Sequence, residues 1–310
     1  MHLKNKFIVC TSINKPTLAI RKFDSMKDWN LIVVGDKKTP KNYKLNNGLY
    51  ISPQEQEKID KKLSDLIGWN CIQRRNFGLI YAWKKKADVV AVVDDDNIPY
   101  KNWGKNLLLN KEIKTNYYKT NSLAFDPISV TNYNYLWHRG FPIQILKERN
   151  KVKRFTKFVK PDIQADFWNG DPDIDAICRM EHKPNCKFKN SYFPISSNKI
   201  SPFNSQNTFI SKQALPHYFL FPHVGRMDDI WASYYLISKG FKVIYNRPSV
   251  YQKRNIHDLT KDMNNEIIGY KNNINLIKDL KKNINNIFFY MPKKSKLAFL
   301  RFQKHFKLDG

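Results

Sequence analysis

Three consecutive carboxylates, Asp94, Asp95 and Asp96, stand directly behind the apolar run 89–93, Val-Val-Ala-Val-Val. Such a continuous apolar run reads as a strand buried on both faces, so the acids lie where a strand gives way to its loop. Like charges this close raise one another's pKa unless a cation sits among them. An acidic turn turned to water is the weaker alternative in a chain with twice as many basic as acidic residues. Side chains alternate along extended backbone, which puts Asp94 and Asp96 on one side and Asp95 on the other. Hard oxygen donors of this kind suit Mg²⁺ or Mn²⁺, and either ion also bridges to phosphate oxygens. Two-metal nucleases and polymerases use similar ligands, but a second acidic cluster spaced for another ion is lacking. The nearest candidate, Asp171-Pro172-Asp173-Ile174-Asp175, is expected to be a rigid loop that accepts hydrogen bonds from arginine and backbone N–H groups.

The elements that must position these acids alternate between two periods. Residues 7–10 and 31–34 read as strands, and Pro16 opens a helix between them that carries Ile20 and Phe23 on one face. A further helix over 76–86 leads into the 89–93 strand. The alternation is that of βαβ units, so an α/β fold with a mostly parallel sheet is expected. Ligands of such sheets bind beyond the carboxyl ends of the strands, which singles out the loops Thr11-Ser12-Ile13-Asn14, Gly35-Asp36-Lys37 and Asp94 to Asn97. None carries a glycine-rich dinucleotide fingerprint or a P-loop. Residues 100–209 are rich in aromatics, Asn and Pro and read as short strands and loops. A helix over 228–239 and a strand over 242–245 follow. Ile267, Tyr270, Ile274, Ile277, Leu280, Ile284 and Ile287 then recur at helical spacing.

The last segment, 288–308, holds Lys293, Lys294, Lys296, Arg301, Lys304 and Lys307 among Phe, Tyr and Leu, with no acid. It suits either the boundary of an anionic bilayer, at about 1 kcal/mol of attraction per basic residue, or an apolar helix face packed on the body. Over the whole chain of 310 residues, 54 Lys+Arg against 27 Asp+Glu leave a formal charge of +27. That excess points to nucleic acid, a membrane surface or a phosphate-bearing small substrate, unless biased Lys and Asn usage accounts for the surface lysines. A hydrophobic fraction of 42% excludes disorder along the whole length. No apolar stretch approaches the roughly 20 residues of a membrane-spanning helix, and the N-terminal apolar run is too short for a signal peptide. A cytoplasmic location is expected, with peripheral contact at the inner face of a membrane. Cys10, Cys71, Cys178 and Cys186 are scattered without a C-x-x-C pair, so reduced thiols are expected.

Seven segments carry a resemblance: T-S-I-N at Thr11, V-V-G-D-K-K-T-P at Val33, R-R-N-F-G at Arg74, V-D-D-D-N at Val93, G-D-P-D-I-D-A at Gly170, P-F-N-S-Q-N-T at Pro202 and G-R-M-D-D-I-W at Gly225. In this order, over residues 6–258, they resemble the STELLO-type glycosyltransferases. They are more loosely similar to the reversibly glycosylated polypeptides, or UDP-arabinopyranose mutases. The resemblance implies a GT-A fold over 1–258, with a nucleotide-binding half at 1–100, an acceptor-binding half at 101–258, and a basic helical extension at 259–310.

It also implies roles. Asp94 and Asp96 match a D-x-D site for Mn²⁺ or Mg²⁺ on the diphosphate of a sugar nucleotide, with Asp95 beside them. Arg75 and Lys37 are candidates to neutralise the leaving diphosphate, unless they are solvated surface charges. Thr11, Asn14 and Asp36 suit the nucleoside, uracil by analogy, although Thr11 and Asp36 can instead cap turns. Asp229 matches the aspartate of the G-R-x-x-D-x-W pattern and is nominated as the base for an acceptor hydroxyl, with Asp228 as its rival, both held ionised at a helix N-terminus. His257 is a candidate to return to the metal. Arg139, in H-R-G-F-P, resembles an arginine segment of the mutases, and a diphosphate contact or a structural ion pair are its alternatives. Trp168, Trp231 and Tyr234 can stack on a sugar or pack in the core. The expected activity is transfer from a nucleotide-sugar, a UDP-sugar, to a glycan or lipid-linked acceptor in glycan or surface polysaccharide synthesis. The alternatives are a UDP-sugar mutase and a non-catalytic nucleic-acid-binding protein, and nucleic acid is not the expected partner.

Overall fold

The structure, a computed structural model, describes residues 3–254 and 258–306. Its strands are β1 (Lys6–Thr11), β2 (Asn30–Val34), β3 (Leu49–Ile51), β4 (Val89–Val93), β5 (Asn97–Pro99), β6 (Ile113–Thr120), β7 (Val152–Val159), β8 (Ile163–Gly170), β9 (Ile195–Ser197), β10 (Asn207–Ser211) and β11 (Val243–Gln252). Ten of them form one path in the order β3-β2-β1-β4-β10-β8-β11-β9-β6-β7, and β5 pairs with β11. The helices are α1 (Leu18–Asp24), α2 (Pro53–Ile67), α3 (Arg75–Lys84), α4 (Ala176–His182), α5 (Asp228–Ser238), α6 (Leu259–Lys282) and α7 (Lys293–Gln303).

The parallel alternation expected for the first hundred residues is present in β3-β2-β1-β4. Every residue of β4 is buried, as its unbroken apolar run requires. Beyond β4 the sheet is mixed rather than mostly parallel: β10 runs antiparallel to both β4 and β8, whereas β8 and β11 are parallel. The reversal places a strand from the second half of the chain beside the central strand of the first. β11 is longer than the 242–245 strand expected, because an irregularity between Asn246 and Val250 carries the chain past Pro248 and on to Gln252. A proline cannot donate to a ladder, and strands accommodate it at such breaks.

Local sequence sets the helix starts. Thr17 caps α1 by accepting from Ile20 N–H, so Pro16 stands just outside the helix instead of opening it. Ser52 and Glu55 form a capping box on α2, with Pro53 in its first turn. α2 bends at Asp60, whose carboxylate accepts from Leu63 N–H and so caps the helix's second segment. The inward side of α6 holds Leu276, Ile277 and Leu280 but also Glu266 and Asn273, while Ile267 and Ile274 are only half-buried. Ile284 and Ile287 lie beyond its end, in a 3₁₀ turn.

The C-terminal segment packs on the body. Phe299 and Phe302 of α7 meet Phe219, Phe221 and Tyr235, and Arg301 and His305 reach Asp60 of α2. Phe289, Leu297 and Leu300 point outward beside Lys293, Lys294 and Lys296. Among the described residues no helix is long and apolar enough to cross a membrane. All four cysteines are free thiols.

Candidate active site

A cleft of about 400 Å³ opens at the carboxyl ends of β1, β2 and β4, where an open α/β sheet places its ligands. It gathers Thr11, Asn14, Asp36, Arg75, the three acids Asp94 to Asp96, Arg139, Asp228 and Asp229. Lys37 is not among its walls: it lies on the exposed rim of a neighbouring cavity, its ammonium 5.1 Å from the Trp69 ring. His257 lies outside the described residues.

The triple-acid corner is a tight turn, closed by Asn97 N–H donating to the Asp94 carbonyl. Asp95 accepts from the Ser12 hydroxyl and from Asn14 Nδ2 at 3.1 Å, and it lines the same cleft as Asp94 and Asp96. Asn14 and Ser12 thereby stitch the first loop to the corner. Asp94 receives Arg75 Nη2 at 2.7 Å, and the same guanidinium donates to Thr11 Oγ1 and, through Nη1, to the Ser205 carbonyl at 2.6 Å. Asp96 faces Gln252 Nε2 at 3.3 Å. Burial pushes the Asp94 carboxyl up in spite of Arg75. Burial and then the Asp94 charge push Asp96 up to about 7. Among the described residues no three His, Cys, Asp or Glu side chains form a ready metal cage.

Asp36 is buried, and its two oxygens accept from the backbone N–H groups of Lys37, Asn70 and Cys71. It therefore fixes the loop that enters α3, the capping role that the sequence left open. Thr11 likewise has its hydroxyl engaged by Arg75.

The two acids of α5 differ sharply. Asp229 accepts from Arg139 at 2.9 and 3.0 Å through its two oxygens, and from the backbone and hydroxyl of Ser205. Burial opposes its charge, but Arg139 outweighs burial and holds the carboxyl low. Asp228 accepts from Gln73 Nε2 at 2.8 Å, and burial followed by the Asp229 charge pushes it up to about 7. The helix N-terminus thus does not act on the two alike: for Asp228, desolvation and its neighbour outweigh it and push the carboxyl up.

Arg139 is a buried ion-pair residue, bidentate to Asp229 and also bound to Asp173 at 2.9 Å. Asn204 bonds the same Asp173, so the loop at Pro202 is tied to the Asp171–Asp175 loop. Gly140 follows Arg139 at φ +92°, and a side chain there would strike Ile230, the residue after Asp229. The Asp171–Asp175 run is the arginine-binding loop expected of it: Asp171 pairs with Arg179 and Arg254, and Asp175 caps α4 while accepting from Trp137. Trp168, Trp231 and Tyr234 are core residues and do not line the cleft; Trp231 Nε1 donates to Asn273 and Tyr234 to the Gly140 carbonyl.

Sequence reasoning missed Arg226, Arg254, Gln206 and Gln252, all of which line the cleft. Arg226 lies inside the G-R-M-D-D-I-W segment and pairs with Asp262 and Glu266 of α6. Arg254 lies three residues before His257, and its buried Nε stands 3.5 Å from Asp171 Oδ1.

A large mixed sheet flanked by helices, with an acidic corner at the carboxyl end of its central strand, is compatible with a GT-A-like glycosyltransferase fold. No family model matches the chain. Its sequence is similar to two proteins of Arabidopsis thaliana, "Probable glycosyltransferase STELLO2" at 22% and "Probable glycosyltransferase STELLO1" at 23% identity over 228 residues. The match covers 67% of this chain and 30% of each relative, so the chain spans under a third of their length. The resemblance to STELLO-type glycosyltransferases carried by the seven segments is therefore borne out by similarity over most of the chain.

Proposed function

We propose that the chain is a glycosyltransferase that moves a sugar from a nucleoside-diphosphate donor, a UDP-sugar, to a hydroxyl of a glycan or lipid-linked acceptor. The observation that carries this reading is the single cleft that brings Asp94, Asp96, Arg75 and Asp228 together in a chain similar to glycosyltransferases. Two carboxyls of one turn, both pushed up by burial, are the oxygen donors that a hard divalent cation relieves. Mg²⁺ and Mn²⁺ sites commonly use one or two carboxylates and take their other oxygens from substrate phosphates and water, so the lack of a third protein ligand fits. Mn²⁺ or Mg²⁺ held by Asp96 and the free oxygen of Asp94 would neutralise charge on the leaving diphosphate.

The chain's own residues do the rest. Arg75, fixed between Asp94 and Ser205, presents positive charge at the same corner, and Arg254 and Arg226 face it across the cleft. Asp228 is the better base: its carboxyl is tuned near neutrality, whereas Asp229 is spent on Arg139 and Ser205. Asp229, Arg139 and Asp173 hold the first turn of α5 in place. Peripheral contact with an anionic bilayer belongs to the outward face of α7, where Leu297, Leu300 and Phe289 stand beside lysines.

Thermal-shift measurements with nucleoside diphosphates, with and without Mn²⁺, test this. UDP with Mn²⁺ is expected to raise the melting temperature by several degrees, and Asp96→Ala to abolish the Mn²⁺-dependent part. A shift absent for every nucleoside diphosphate overturns the donor site. Ring-isomerised UDP-sugar formed without an acceptor overturns transfer in favour of a mutase.

A further inference from the structure

A second cavity, of about 460 Å³, lies between the β6, β7 and β9 surface and the C-terminal ends of α5 and α6. Lys157, Lys199, Lys242 and Lys281 line it, and no acidic residue does. The ion pairs that lysines make among the described residues are Lys61 with Asp65 and Lys282 with Asp279, so these four ammonium groups have no carboxylate partner. Asp162, on the approach to β8, is spent on the backbone N–H of Lys242. Burial, and then the Lys199 ammonium, push the pKa of Lys281 down, which places two positive groups close together without compensation. Lys157 rests over the Tyr117 ring at 4.7 Å. Phe241, Ile237, Leu280 and the exposed Phe158 supply apolar walls. A helix C-terminus favours a neighbouring lysine, which accounts for Lys281 at the end of α6 but not for three more from other elements.

We propose that this cavity is a second anion site that takes a phosphate group among the four lysines, its apolar walls receiving the group to which the phosphate is attached. It is separate from the catalytic cleft. Val243, at the start of β11, lines this cavity, and Gln252, at its end, lines the cleft. At about 3.3 Å per residue, nine steps along that strand put the two some 25–30 Å apart. The same phosphate chemistry has two sources, a soluble phosphorylated compound and the headgroup of an anionic lipid.

Calorimetric titration of the full chain with pyrophosphate, at low salt and with EDTA to keep divalent ions out of the cleft, tests the site. Three proteins are compared: wild type, Lys199→Ala/Lys281→Ala, and the control Lys27→Ala/Lys44→Ala, which removes equal charge elsewhere. Flotation with phosphatidylglycerol or phosphatidylcholine vesicles is run on the same three, and their melting temperatures check the fold. The expected result is that the cavity variant weakens binding at least tenfold in one of the two assays and the control stays within twofold of wild type. Loss confined to pyrophosphate identifies a soluble phosphate, and loss confined to phosphatidylglycerol flotation identifies a headgroup. Equal losses in the two double variants, or no saturable binding in either assay, overturn the proposal.

Discussion

Asp228 and Asp229 are the same residue type at consecutive positions, yet their surroundings give them opposite tasks. Arg139 lies between two buried carboxylates, Asp173 and Asp229, so Arg139→Ala strips Asp229 of its ion pair and leaves Asp173 only the more distant Arg254 at 3.9 Å. Breaking a buried pair this way costs about 3–5 kcal/mol, and urea denaturation of Arg139→Ala should show a loss of that order; under 1 kcal/mol would mean that the clamp is not what holds α5. For Asp228 the expectation is kinetic. Asp228→Asn should lower turnover by roughly 10²- to 10⁴-fold, the usual contribution of a positioned base, with no loss of stability. A base must be ionised to work, so the rate should climb as pH rises through about 7, and fall away below it. Gln73 favours the ionised form by its hydrogen bond, so Gln73→Ala should move that limb to higher pH. A flat profile from pH 5 to 9 would remove Asp228 from the role. The acid pair itself is legible in the sequence, but the choice between its members is not. It rests on Gln73 and Arg139, which lie far from α5 in the chain and reach it only through the fold.

At the level of elements, α7 was legible as a basic amphipathic helix, but which partner its apolar face meets was not. That face closes over Phe219, Phe221 and Tyr235, and Phe299 is buried against all three. Phe299→Ala should therefore destabilise the whole protein by about 3–5 kcal/mol, measured as a lower urea midpoint; an unchanged midpoint would mean that α7 is not docked. Deleting residues 288–310 strips the same cluster, so membrane contact is better tested by Leu297→Glu/Leu300→Glu, which alters only the outward row. The second anchor is electrostatic. Burial disfavours the Asp60 charge, but Arg301, the Leu63 N–H and His305 together hold its pKa below the ordinary value. A carboxyl lowered on folding stabilises the fold above its unfolded pKa of about 4 and loses that contribution as pH falls through its folded value. Wild type should thus lose more stability than Asp60→Asn between pH 6 and pH 3, and parallel curves would show the anchor to be inert. The kink that aims Asp60 at α7 lies in α2, a helix that the sequence reading passed over. α6 was misread for a related reason: its apolar spacing conceals Glu266 and Asn273, which face inward because Arg226 and Trp231 bind them.

Across the whole molecule, the alternating pattern of the first hundred residues was readable because β1, β2, β3 and β4 all pair in parallel within that stretch, as βαβ units do. The second half was not, since β10 inserts antiparallel between β4 and β8, and β11 reaches β5 and β8 together. Such pairings join residues from about 40 to about 150 positions apart, with no fixed order or direction, which no local period records. They also decide how the protein comes apart. β4 is buried throughout, and its partner on one side is supplied by β10, so a fragment of residues 1–100 would expose an unbroken apolar strand edge. An edge of that kind templates aggregation. Arg75 adds a second tie, bonding Asp94 of the first half and the Ser205 carbonyl of the second. The halves that share the cleft are therefore expected to unfold in one step, with fluorescence and circular dichroism midpoints coinciding in a urea titration. The 1–100 fragment alone should sediment as aggregate rather than as a folded monomer. Two resolved transitions in the full chain, or a monomeric fragment that melts cooperatively, would show that the nucleotide half is a domain in its own right and that β10 is dispensable to it.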